Sequence, residues 1–242
     1  MEFGPLASLG PMRFRIARAE LAVATARLGA VAAFYEQTLG FAVEQRDGRV
    51  VLPVGADVLE LVAVGDATDP FHHFALLVPG DRFDAARAWL GERAETLARD
   101  GGETVFPFDF WDAQAVYFHD PAGNIVELIA HAGMAERSGA AGAFSAGELD
   151  GLSEVGIVVD DPATAVATLE RDLELELWSG DPGQLAFVGA KAHTLILAPP
   201  GRGWLPTGRP AEPHAAAVTV TGGAADAVVL AGSPQRSVRR SG

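Results

Sequence analysis

No cysteine occurs in the 242 residues, which excludes disulfides, thiolate nucleophiles and Cys-ligated zinc. Any metal would have to rest on histidine and carboxylates. Basic residues are also scarce: 18 Lys and Arg stand against 32 Asp and Glu, for a net charge of -14. Such a balance repels nucleic-acid phosphates and anionic membrane surfaces, so a small-molecule or protein partner is expected, with no nucleic acid and no membrane. The longest apolar stretch, residues 21–34, is interrupted by Arg27 and runs into a helical pattern, and the first residues carry Glu2 instead of a basic start. Neither a signal peptide nor a membrane span is predicted, and a cytoplasmic location fits the absence of cysteine. Glycine-rich phosphate loops and Gly-x-Ser-x-Gly elbows are absent as well.

What the chain does have is apolar content, 49% of its residues, enough for one large core or two small ones. It also has an internal repeat. Glu20-Leu21-Ala22-Val23 reads as a strand and is followed by a helical pattern that ends in Phe34-Tyr35 and Leu39-Gly40-Phe41, where glycine permits a left-handed cap. His73-Phe74-Ala75-Leu76-Leu77-Val78 repeats the strand and residues 84–90 the helix. Glu154-Val155-Gly156-Ile157-Val158 does so a third time, with Asp161-Pro162 opening the helix. Each copy closes with short β-rich runs, at 50–54 and 58–64, 115–119 and 125–130, and 185–188 and 194–197. The distance from opening to closing position is 40 residues from Glu20 to Glu60, 54 from His73 to Glu127 and 41 from Glu154 to Leu195, so the second copy carries an insertion. That insertion holds the aromatic run Phe106, Phe108, Phe110 and Trp111, of which Phe106, Phe108 and Trp111 are expected to line a pocket together with Tyr117.

The strongest local motif is Tyr117-Phe118-His119-Asp120-Pro121-Ala122-Gly123-Asn124-Ile125-Val126-Glu127. Asp-Pro-x-Gly-Asn is turn chemistry joining two strands. Alternation on the second strand puts Glu127 on one face with Ile125 and Ile129, where an unpaired carboxylate is costly and a divalent cation, or a buried basic group, would compensate it. His73 holds the matching opening position, whereas His72 and His119 are weaker candidates.

With Phe-Tyr-x-x-x-Leu-Gly-Phe and Asp-Pro-x-Gly-Asn-x-x-Glu both present, residues 15–133 resemble the vicinal-oxygen-chelate superfamily of glyoxalase I, bleomycin-resistance proteins and extradiol dioxygenases. The resemblance implies an α+β fold of repeated βαβββ modules, two of them paired into a cup-like sheet over residues 1–135. A linker at 136–147, a third module at 148–222 and a flexible tail at 223–242 complete the expected organisation. Carried over by position, it implies a divalent metal (Mn, Fe, Ni or Zn) held by His73, Glu127, Glu20 and Glu60, with Glu20 and Glu127 as candidate catalytic carboxylates. One His and three Glu bring three negative charges to a two-plus ion, so one carboxylate is expected to be protonated or displaced. A glyoxalase-like isomerase, epimerase or lyase is the leading expectation, then a metal-free binder of the bleomycin-resistance type, then a ring-cleaving dioxygenase. The third module, with Leu195 at its closing position, is expected to pack or dimerise, which makes a homodimer the expected assembly.

Overall fold

The computed structural model describes residues 14–134, 142–222, 226–232 and 235–241. The three expected repeats form as strand, helix and strands. The first comprises β1 (Arg15–Val23), α1 (Leu28–Ala33) running on through a π-type turn at Phe34–Thr38, β2 (Glu44–Arg46), β3 (Arg49–Val54) and β4 (Asp57–Ala63). The second comprises β5 (His73–Val78), α2 (Phe83–Gly91), β6 (Phe106–Phe108), β7 (Ala113–His119) and β8 (Ile125–His131). The third comprises β9 (Gly151–Val158), α3 (Pro162–Leu173), β10 (Leu177–Asp181), β11 (Leu185–Ala190) and β12 (His193–Ala198). Local chemistry sets the helix ends. Asp161 caps α3 by accepting the Thr164 amide, Pro162 occupies the first turn, and Gly40 takes φ +74° after the first helix.

A fourth set of strands follows. After the small hairpin of β13 (Gly203–Trp204) and β14 (Arg209–Pro210) come β15 (Ala216–Thr221), β16 (Asp226–Gly232) and β17 (Gln235–Ser241). Residues 226–232 and 235–241, expected to belong to a flexible tail, are therefore strands. In every set the opening strand pairs parallel with the closing one: β1 with β4, β5 with β8, β9 with β12 and β15 with β17. The last set is thus a module that has lost its helix.

Which modules pair differs from expectation. One sheet runs β10-β11-β12-β9-β5-β8-β7-β6 and the other β16-β17-β15-β1-β4-β3-β2. The second module joins the third through antiparallel β5 and β9, and the first joins the fourth through antiparallel β1 and β15. The cup is not built from residues 1–135. The physical reason is the hidden fourth module: four opening strands give every module an edge partner, and none is left exposed. Residues 136–141 of the expected linker lie outside the described residues.

Alternate residues of β5, β8 and β9 divide between two interiors. Phe74, Leu76, Val126, Leu128, Val155 and Ile157 enter the main core, with the helices and with Leu21, Leu59 and Leu61 of the other sheet. Ala75, Ile125, Ile129 and Val158 face a separate cluster with Tyr117, Ile196 and Trp204. The two sheets meet where the β3–β4 turn abuts the start of β9. Gly55 in that turn has φ +57°, and a Cβ there would lie 2.3 Å from the carbonyl carbon and oxygen of Asp150. Gly55→Ala is therefore expected to cost about 2–4 kcal/mol, lowering Tm by about 5–12 °C in thermal denaturation. A Tm unchanged within 2 °C, about 1 kcal/mol or less for a chain of this size, would rule out this close contact. Among the described residues no helix is long and apolar enough to cross a membrane.

Candidate metal centre in an aromatic cleft

The centre is organised by β5. Its Ala75 stands in register with Glu127 of β8 on one side and with Glu154 of β9 on the other, and His73 lies two residues away on the same face. A small side chain between the two carboxylates leaves the space open. The β5–β9 register shifts between Ala75 and Leu76, so that Ser153 is an extra residue on β9; such a bulge re-aims the adjacent side chain, here Glu154.

His73 Nε2 is 3.5 Å from Glu127 Oε2 and 3.8 Å from Glu154 Oε2. One donor atom from each of the three residues falls within 4.8 Å of the others, and all three residues are buried. His73 Nδ1 is 3.1 Å from the Ile125 carbonyl, which can only accept, so Nδ1 carries the proton and Nε2 presents a lone pair to the carboxylates. Tyr117 stands directly across the ladder from Glu127. Burial, and then the Glu154 charge, push the Glu127 carboxyl well above the usual carboxylate range. Burial, and then the Glu127 and Glu154 charges, likewise raise the Tyr117 hydroxyl. Among the described residues no arginine or lysine reaches either carboxyl group, so two buried carboxyls face one histidine. Donor type, protonation and charge all fit a divalent cation.

These residues lie in a cleft of about 60 Å³ walled by Phe108, Trp111, Tyr117, Phe187, Trp204 and Leu205. Trp111 meets Phe187 edge-on at 4.7 Å, and the Trp204 ring lies 5.2 Å from that of His73. Of the four residues expected to line the pocket, Phe108, Trp111 and Tyr117 do so. Phe106 stands behind Tyr117, edge-on at 4.9 Å, with the Arg99 guanidinium over its ring.

Glu20 and Glu60 are in the other sheet, side by side on β1 and β4. The structure does not bring them to His73. Arg49 binds both, at 2.9 Å to Glu20 and 2.5 Å to Glu60, Arg18 also pairs with Glu60, and Arg239 of β17 reaches Glu20 at 3.0 Å. Counted back from the start of the following α-helix, Arg18, not Glu20, holds the place of His73. This face has carboxylates already neutralised. Glu60→Gln is expected to cost about 1.5–3 kcal/mol through its charged hydrogen bonds while leaving any bound metal unchanged, as chemical denaturation beside elemental analysis would show. Of the weaker candidates, His72 Nε2 donates to the Ala22 carbonyl at 3.1 Å and its pKa is lowered to about 3, chiefly by burial. His119 is exposed and bonds the Asn124 carbonyl.

Sequence reasoning undervalued Glu154 because its expected mate was Leu195. Register corrects this. Leu195 enters the main core, whereas Ile196, paired with Gly156, occupies the place that Glu127 has opposite Ala75. The third module supplies its opening ligand position and an apolar closing one. Trp204, Leu205 and Arg202 come from the loop and hairpin after β12, which the strand pattern did not mark.

No protein-family model matches this sequence, and no curated protein does so significantly. Solved structures do match. A protein from Bacillus subtilis subsp. subtilis str. 168, provisionally assigned as a dioxygenase, aligns at 15% identity and TM-score 0.54, over 85% of this chain and 69% of that one. Glyoxalase I from Zea mays aligns at 18% identity and TM-score 0.53, over 86% of this chain and 75% of that one. This chain thus shares its fold with these two structures.

Proposed function

We propose that the chain is a metal-dependent enzyme acting on a small molecule, glyoxalase-like in type, with His73, Glu127 and Glu154 holding one divalent cation. The observation that carries this is the pair of adjacent buried carboxyl groups with no arginine or lysine among the described residues in reach. Burying one unpaired anion costs several kcal/mol, and two neighbours cost more. A neutral histidine with two carboxylates balances a two-plus ion without the surplus charge that the expected four-residue set carried. The donors suit Mn, Fe(II), Ni or Zn.

When bound, the ion would supply Lewis-acid stabilisation of negative charge developing on a substrate oxygen. The chain's own groups do the rest. Ile196 offers no fourth donor, which leaves room for substrate oxygens, and the aromatic walls exclude water. Of the two carboxylates expected to move a proton, Glu20 is engaged by arginines in the other sheet. Glu127 remains, with Tyr117 directly across the ladder from it, as the group to hold or transfer a proton at carbon next to a carbonyl, in an isomerase, epimerase or lyase reaction. Ring cleavage is less favoured, because the dioxygenase triad calls for two His and one carboxylate and this set is the reverse.

Elemental analysis of the purified chain, followed by titration with Mn(II), Fe(II), Ni(II) and Zn(II), tests the reading. One ion per chain is expected. Failure to bind any of the four, with a small ligand still held, would leave the second reading, a metal-free sequestering protein, which the aromatic walls favour. The homodimer was expected from an unpaired third module; that module is paired with the second, so the argument for it no longer holds.

A further inference from the structure

We propose that the ligand of this cleft is an aromatic carboxylate, its ring laid against the wall formed by Phe108, Trp111 and Phe187 and its charged group bound by Arg202. The reaction it would undergo rests on the function proposed above; its binding does not.

The first observation is an unspent cation. Acidic residues outnumber basic ones, and most described basic side chains reach a carboxylate, as Arg15 does Asp57, Arg49 does Glu20 and Glu60, and Arg82 does Glu148. Among the described residues Arg202 reaches none. It lines the cleft, half-buried, and its side chain donates to the Gly203 carbonyl at 2.7 Å. Partial burial of a guanidinium without an anion costs desolvation that a bound carboxylate would offset with a bidentate pair.

The second observation is that this guanidinium rides on fixed backbone. The Arg202 carbonyl accepts from Ala211 N at 2.7 Å, its own amide donates to Pro199, and Gly201 N donates to Ala211 O. The hairpin that carries Trp204 and Leu205 into the cleft thus places Arg202 in the same wall, so little ordering is needed on binding.

The third observation is the polarity of the cleft. Glu127 and Glu154 repel an anionic head group, while Arg202 attracts it, so a ligand with one charged end has a preferred orientation. Phe108, Trp111 and Phe187, packed on one another at 5.7 and 4.7 Å between centroids, form one continuous aromatic wall against which a ligand ring can lie. The net charge of -14 does not oppose this at close range, since salt screens beyond about 8 Å under physiological conditions.

The test uses the full chain, stripped of metal so that Arg202 is the cation in the cleft. 2-Naphthoate and the uncharged 2-naphthalenemethanol are titrated by calorimetry into wild type, Arg202→Met and Arg202→Lys, with circular dichroism confirming the fold. Wild type is expected to favour naphthoate by about tenfold or more, the Met variant to lose that preference with alcohol affinity unchanged within about twofold, and the Lys variant to keep part of it. Equal affinities in wild type, naphthoate binding indifferent to the Met variant, or binding of neither probe would overturn the proposal. A chain that takes up no metal yet keeps the Arg202-dependent preference defeats the metal-enzyme reading alone. One that binds metal and ignores Arg202 defeats this inference alone.

Discussion

Glu154→Gln is expected to abolish divalent-metal binding as completely as His73→Ala or Glu127→Gln, a loss of roughly 100-fold or more in affinity, whereas Glu20→Gln leaves it at the wild-type level. Glutamine keeps the volume of the side chain and removes the anion. The cation then faces one carboxylate and a histidine, and half the balancing charge is gone. Misfolding is separable from ligand loss by the sign of the stability change. Without metal, wild type buries two adjacent carboxylates within 4.8 Å of one histidine nitrogen, so neutralising one of them should leave the metal-free variant at least as stable as metal-free wild type. With metal at about 100 times Kd, wild type gains about 2.7 kcal/mol, or about 5–10 °C in Tm, and the variant gains nothing. A Glu154→Gln protein that binds metal as wild type does would remove the third module from the centre and sink the donor set proposed here.

The contrast between Glu20 and Glu154 marks how far the sequence could be read. Strand, helix and strands were legible three times, because alternation, Gly40 and Asp161-Pro162 are local signals. The meeting of His73 and Glu127 was legible too, since both sit at matching positions of one module. The fourth module was hidden: it has no helix, and its last strand, with Arg236, Arg239 and Arg240, reads as a charged tail. The choice of partners was not legible at all. Any opening strand can pair antiparallel with any other, and nothing in a two-residue period says whether β5 takes β1 or β9. That one choice decides which glutamate faces His73. It places Glu154 there and turns Glu20 over to Arg49 and Arg239. Leu195 and Ile196 are a second case, in which a register one residue away exchanges a core side chain for a cleft one.

The motif that announced the fold also braces the centre, and Asn124→Ala is expected to cost about 3–5 kcal/mol, a Tm fall of about 6–15 °C, although Asn124 is no ligand. Its side chain is fully buried. Oδ1 accepts from the His72 amide at 2.7 Å, and Nδ2 donates to Asp120 Oδ2 at 2.8 Å. Asp120 in turn accepts from the amides of Ala122 and Asn124 and from the Tyr35 hydroxyl, at 2.9, 3.1 and 3.1 Å. So the turn after β7 is hydrogen-bonded to the first module's Phe34-Tyr35 segment and to the residue before His73. This is why aspartate and asparagine, and not merely turn-formers, occupy those positions. Alanine leaves the His72 N–H buried without a partner and Asp120 Oδ2 with the Tyr35 hydroxyl alone; the orphaned N–H costs about 1–3 kcal/mol and the lost bond to a charged group about as much. Tyr35→Phe, which removes one bond from a carboxylate that keeps three others, is expected to cost about 1–2 kcal/mol. Because His72 precedes His73, Asn124→Ala should also weaken metal binding by about 10-fold or more, as loss of a supporting partner does, whereas Tyr35→Phe should leave it near wild type. Urea unfolding of metal-free protein separates the stability effect from the metal effect. If Asn124→Ala unfolds within 1 kcal/mol of wild type, the bond to His72 does not hold the centre in place.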